Sequence, residues 1–152
     1  MRYKIISLIL VFGALLAYGI FVYIQHTSLV SPSSKATVTL GGKVFSVEVA
    51  QTDTEREQGL SGHTPLTNDG GMLFVFPVAG TYAFWMKDML FSLDIIWLDQ
   101  SGKVVHIEKN LSPDTYPKAY APGSPALYVL EISSGQAETL GLAVGDIAHI
   151  AF

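Results

Sequence analysis

From Ile5 to Ile24 the chain carries no charged side chain, and this run constrains everything that follows it. About 20 consecutive apolar residues are what an α-helix needs to cross a hydrocarbon core. A cleaved signal peptide is the alternative, but its apolar region is usually about 7 to 15 residues long. No small-residue cleavage pattern comes after this run, and Pro32 stands in the stretch HTSLVSPSSKA where a peptidase would act. Residues 1–25 are therefore expected to form an uncleaved anchor, with the lipid bilayer as partner for residues 5–24. Arg2 and Lys4 precede the run, and no Lys or Arg follows until Lys35. Because positive charge stays on the cytoplasmic side, the N-terminus is expected inside and the rest of this single-pass chain outside the cytoplasmic membrane. Residues 26–36, with four Ser and Pro32, are expected to form a tether. Residues 37–152 form the extracytoplasmic domain.

Beyond the anchor, seven Lys and Arg stand against thirteen Asp and Glu. No basic stripe interleaved with aromatics is present, so nucleic acid is excluded as an expected partner. Cysteine is absent, which removes disulfides, thiol catalysis and thiolate metal sites. A domain of this size is large enough to hold together by packing alone.

The domain's rhythm is that of strands. In ATVTLGGKVFSVEVA, Val38 and Leu40 alternate with polar residues, Gly41-Gly42 supplies a two-residue turn, and Val44 to Val49 alternates again, which predicts a hairpin. In QTDTEREQGL, Thr52-x-x-Glu55 and Thr54-x-x-Glu57 both fit a capping box, with Gly59 or Gly62 as the stop, so a two-turn helix is expected. A strand ending at Pro77 follows, then a strand in AGTYAFWM, then a hairpin folded at Asp99-Gln-Ser-Gly102. Four prolines between Ser112 and Ala126 predict a long surface loop. LYVLEI is a strand, SSGQAETLGLAVGD a short capped helix, and IAHIAF a closing strand. Without a βαβ rhythm, the expected fold is mostly β: a compact antiparallel sandwich or barrel, jelly-roll-like, with two short helices.

Within FWMKDMLFSLDIIWLD, residues 84–99, Lys87, Asp88 and Asp94 interrupt an apolar run. A buried charge costs several kcal/mol unless it is paired or reaches water. A break at Lys87-Asp88 places those two at a corner. Asp94, which shares a strand face with Ile96 and Leu98, needs a partner, and Lys87, Arg56 or backbone N–H groups are the candidates.

The segments ERxxGL (55–60), GMLFVF (71–76), FWMKDM (84–89), LDIIWLD (93–99), YVLE (128–131) and LGLAVGD (140–146) occur in that order. Together they resemble the prokaryotic family catalogued as domain of unknown function 192, across roughly residues 37–152. The resemblance implies a compact mostly-β domain of sandwich or jelly-roll-like form, and it implies no activity. Three positions depart from the family's pattern: Ser61 where Met is frequent, Asp88 where Asn is usual, and Ser92 where Pro is usual.

Arg56, Trp85, Lys87, Asp88, Asp94 and Tyr120 form the candidate ligand-binding set, since an aromatic wall with a few fixed polar groups is how small polar ligands are held. The competing reading pairs Lys87 with Asp94 or Glu55 to pin a loop, with Trp85 in the core. His106 and Glu108 share a strand face, but a zinc site wants three or four ligands, so no metal and no cofactor are expected. No nucleophile-elbow, HExxH or phosphate-loop pattern occurs. The expected function is a tethered module that binds a small ligand, an envelope glycan or a protein. The alternative is a hydrolase acting on envelope carbohydrate through Asp88 or Asp94 with Lys87.

Overall fold

The computed structural model describes residues 34–152. The expected anchor and most of the tether lie outside the described residues. Among the described residues, nine strands make up most of the regular structure, together with two short helices. Seven strands form one sheet and two form a separate ribbon.

Strands β1 (Lys35–Leu40) and β2 (Lys43–Ala50) form the expected hairpin. Gly41 and Gly42 both adopt positive φ, 59° and 76°, as the twist-matched two-residue turn demands. Helix α1 (Asp53–Gln58) starts at Thr52 through the Thr52–Glu55 box: Glu55 N–H donates to Thr52 Oγ1, and Thr52 N–H donates to Glu55 Oε2. Gly59, at φ 47°, ends it. Strand β3 (Gly70–Gly80) runs past Pro77, with a register shift between Val75 and Gly80. Strand β4 (Phe84–Trp85) is only two residues long, and the Lys87-Asp88 corner separates it from β5 (Leu93–Leu98). Strands β5 and β6 (Val104–Leu111) form a hairpin about Asp99, whose Oδ1 accepts from the N–H of Ser101 and of Lys103. The proline-rich loop holds a 3-10 turn (Pro113–Thr115) and β7 (Ala119–Tyr120), which pairs with β4. Strand β8 (Ala126–Ser133), helix α2 (Gln136–Thr139) and β9 (His149–Ala151) complete the chain.

The main sheet runs β6-β5-β8-β3-β2-β1-β9. It is mixed, and this corrects the expectation of an antiparallel sandwich or barrel: β2 and β3 pair in parallel, Ser46 opposite Gly70 through Ala50 opposite Phe74. Parallel neighbours need a crossover of a dozen or more residues, and residues 51–69 supply it around α1. The sheet does not close into a barrel. Its two edges approach each other near the β5–β6 turn, where Val104 N–H donates to Asp146 O and Ala148 N–H to Gly102 O.

Both faces of the sheet are covered. One face carries Val38, Leu40, Phe45, Leu73, Ile96 and Leu130, closed by Ala137 and Leu142 from α2 and its exit. The other carries Phe74, Ile95, Trp97 and Val129, closed by Leu60, Met86, Met89 and Tyr120. All six residues of β5 are consequently buried. Asp94 is fully buried on the first face, with Ile96 and Leu98 as its strand alternation requires. Its partners are backbone groups: Oδ1 accepts from Asn110 N–H and Oδ2 from Ala137 N–H, each at 2.8 Å. One carboxylate thereby ties β5 to the end of β6, where Asn110 turns at φ 57°, and supplies the missing cap of α2, whose own N-cap is Gly135.

Asp94→Ala is expected to destabilise the fold by about 3 kcal/mol or more, because two charge-assisted bonds are lost and two N–H donors are stranded. Urea denaturation measures this, and a loss below about 1 kcal/mol would show that the bridge is dispensable.

Candidate functional site

A cleft of about 330 Å³ opens between α1, the outer half of β3, the 82–89 segment and β8. This volume is near the lower bound of small-molecule pockets. Aromatic side chains build its walls, and they lock one another. Phe76 stacks on Tyr82 with ring centroids 3.5 Å apart and planes within 8°. Phe84 meets Phe74 edge-on at 4.8 Å and Trp97 at 5.8 Å. Trp97 Nε1 donates to Tyr82 O at 2.9 Å, which fixes the backbone from which this wall hangs. Trp85 stands at the rim, 54% exposed, with Tyr116 beside it at 5.9 Å.

Arg56 lies along one wall. The helical setting alone would let it face water, yet its side chain is only 13% exposed. Its Nη1 donates to the carbonyls of Gln51 and Val75, its Nη2 pairs with Asp53, and its guanidinium sits 5.3 Å from the Phe76 centroid. The cation is therefore committed to holding α1 against β3 and is not presented freely to a ligand.

The decisive group is Glu131. It sits mid-strand in β8 with Met72 and Ile95 as its lateral neighbours, and it lines the cleft. It is 5% exposed, and its Oε2 has no hydrogen-bond partner among the described residues. Buried polar atoms are almost always paired, so an orphan carboxyl oxygen calls for an explanation. Burial without compensation pushes the Glu131 carboxyl up to about 8. At neutral pH it is mostly an uncharged acid, able both to donate and to accept a hydrogen bond.

The structure brings Arg56 and Trp85 into the cleft and separates the other expected residues from it. Lys87 and Asp88 are exposed on the adjoining corner. Ser61 Oγ donates to Lys87 O and Gly62 N–H to Asp88 O, which clasps that corner to the turn after α1. Asp88 adopts φ 54°, a left-handed conformation that Asn and Asp tolerate best among residues with side chains. The position's Asn/Asp character is thus a backbone requirement. With Glu57, Gln58, Ser61 and Gly62, these two residues line an adjoining groove. Asp94 is the internal bridge described above. Tyr120 is buried in the second core beneath Lys118, whose Nζ is 4.5 Å from its ring, and it does not line the cleft. His106 Nε2 and Glu108 Oε1 lie 3.0 Å apart on β6. Among the described residues, no three His, Asp or Glu cluster as metal ligands do.

Glu131 escaped the sequence reading, although the rule applied to Asp94 applies equally to the Glu of YVLEI. A charged residue inside an apolar strand is costly when both faces are covered.

Residues 36–150 match the family DUF192, described as an uncharacterised ACR. The chain belongs to this family. Solved structures similar to this DUF192 chain include a pair at 30% identity or above. One is a protein of unknown function from Novosphingobium aromaticivorans, 34% identical, with a TM-score of 0.72 over 80% of this chain and 89% of that one. The other, from Sinorhizobium meliloti, is described as a candidate transcription regulator; it is 30% identical, with a TM-score of 0.72 over 77% of this chain and 94% of that one. No functionally curated protein matches the sequence.

The raised Glu131 carboxyl has a consequence for stability. Its folded value, about 8, lies above the ordinary 4.5 of the unfolded chain, so the folded state holds the proton more tightly between those values. Its contribution is complete below about 4.5 and is lost as pH climbs towards about 8, at most by roughly 1.4 kcal/mol per pH unit. Relative to Glu131→Gln, the wild-type denaturation midpoint is expected to fall between pH 5 and pH 8. Parallel profiles for the two proteins would show that Glu131 is solvated.

Proposed function

We propose that this DUF192 chain is a membrane-tethered module on the outer side of the cytoplasmic membrane, and that its aromatic cleft binds a small ligand. The observation that carries this reading is the orphan Oε2 of Glu131 beside an open cavity. A fold that leaves a carboxyl uncompensated in an otherwise apolar layer gives up stability unless a ligand completes the pairing. The locked rings around it favour binding, because walls fixed in advance lose little freedom when a ligand arrives.

The hydrolase alternative finds less support. Both Asp94 oxygens are engaged by backbone N–H groups on the other face of the sheet, and Lys87 and Asp88 lie on an exposed corner. A regulator acting on nucleic acid, as the Sinorhizobium protein's description would suggest, needs cations for phosphates. Beyond the run of residues 5–24, acidic residues outnumber basic ones thirteen to seven. Tethering rests on the uncharged run and the basic residues before it.

Two experiments test the two halves of the proposal. The full chain is expected to stay with membranes through alkaline carbonate extraction and to become soluble when residues 1–25 are deleted; release of the intact chain would refute the anchor. In a screen of sugars, amines, amino acids and nucleotides, a true ligand is expected to change tryptophan emission in the wild type, and that change is expected to be lost in Trp85→Phe. Binding that persists unchanged in Glu131→Leu, with the fold intact, would place the ligand elsewhere.

A further inference from the structure

Resting on the ligand-site reading, we infer that the cleft takes an organic cation, a primary or quaternary ammonium group held between the aromatic walls and the Glu131 carboxylate. Four features of the cleft converge on that chemistry. Glu131 is buried, its Oε2 has no partner among the described residues, and its lateral neighbours Met72 and Ile95 offer it nothing. The walls are aromatic, and ring faces attract ammonium groups most strongly where water is excluded. Among the described residues lining the cleft, the one cationic side chain, Arg56, is already neutralised by Asp53 and two carbonyls. Of the other ionisable groups lining it, Asp53 is spent on Arg56 and Glu57 adds a further carboxyl, so the described lining residues offer an anion no free cation.

The alternative occupant, a neutral sugar ring, would use Glu131 as an uncharged donor. The two ligand classes differ in their proton linkage. An ammonium pairs with the ionised carboxylate and expels its proton, so its affinity rises with pH until the free carboxyl is itself ionised. A neutral hydroxylated ligand needs the proton and binds less well as pH rises.

Calorimetry on the full chain in detergent, in buffers of different ionisation enthalpy, separates these cases. The probes are choline, putrescine and benzylamine, with 3,3-dimethylbutanol as the uncharged isostere of choline and methyl glucoside as the neutral sugar. At least one cation is expected to bind at pH 7 with release of up to about 0.9 proton, the share still held by a carboxyl of pKa about 8. Its affinity should rise by up to about tenfold from pH 6 to 7 and level off above pH 8. If choline is that cation, it should exceed dimethylbutanol at least tenfold. Glu131→Gln should cost at least tenfold and abolish proton release while its unfolding remains cooperative. Absence of binding by all three cations up to about 10 mM overturns the inference. So does choline binding no tighter than its isostere, or affinity that falls as pH rises. Methyl glucoside bound in a Glu131-dependent manner, without the cations, would overturn the ammonium assignment and leave the ligand-site reading standing.

Discussion

Strands β5 and β8 are covered on both faces, and that constraint decides the fate of every polar atom they carry. Two carboxyl groups fall on this adjacent pair, Asp94 towards one core and Glu131 towards the other. The fold answers Asp94 completely. Two backbone N–H groups reach its oxygens, and in doing so they join β5, the end of β6 and the start of α2. A charge that would otherwise be prohibitive becomes the bridge that closes the first core. Glu131 receives no such answer from within the described residues. The same physical demand, met on one face and left open on the other, separates a structural carboxylate from a candidate functional one.

The cleft around Glu131 follows from how the second face is covered. Among the described residues, six-residue α1, the 82–89 segment and the small β4–β7 ribbon do the covering, and no long helix lies there. Such short pieces cannot seal a broad apolar sheet, and the gap between them is the cavity. Edge-on and stacked contacts among Phe74, Phe76, Tyr82 and Phe84 hold its walls, while Arg56 fastens α1 at the side. Walls held by locked side chains lose little entropy when a ligand binds.

Much of this fold is legible in the sequence wherever local chemistry dictates the backbone. Gly41-Gly42, Asp99 to Gly102 and the Thr52–Glu55 box each specify a turn or a cap by themselves, and each forms where expected. The break at Lys87-Asp88 is legible for the same reason. What is not legible depends on distant coverage. Helix α1 is too short to show a helical period, so the parallel pairing of β2 with β3 leaves no local trace. Strand β7 lies among prolines, and only its pairing with Phe84 and Trp85 makes it a strand. Arg56 and Glu131 illustrate the limit best. On a solvated helix and a half-exposed strand both would be unremarkable; they become significant only because α1 folds back over β3 and β8.

The cleft's character turns on Glu131, a buried carboxyl whose Oε2 has no partner among the described residues. A carbon-13 NMR titration of the side-chain carboxyl, assigned by comparison with Glu131→Gln, tests it directly. The account predicts a resonance that titrates near 8 in the ligand-free chain. Titration near the ordinary value of 4.5 would contradict it, because a carboxyl that ionises there is already compensated and the cleft has no unmet charge to offer a ligand.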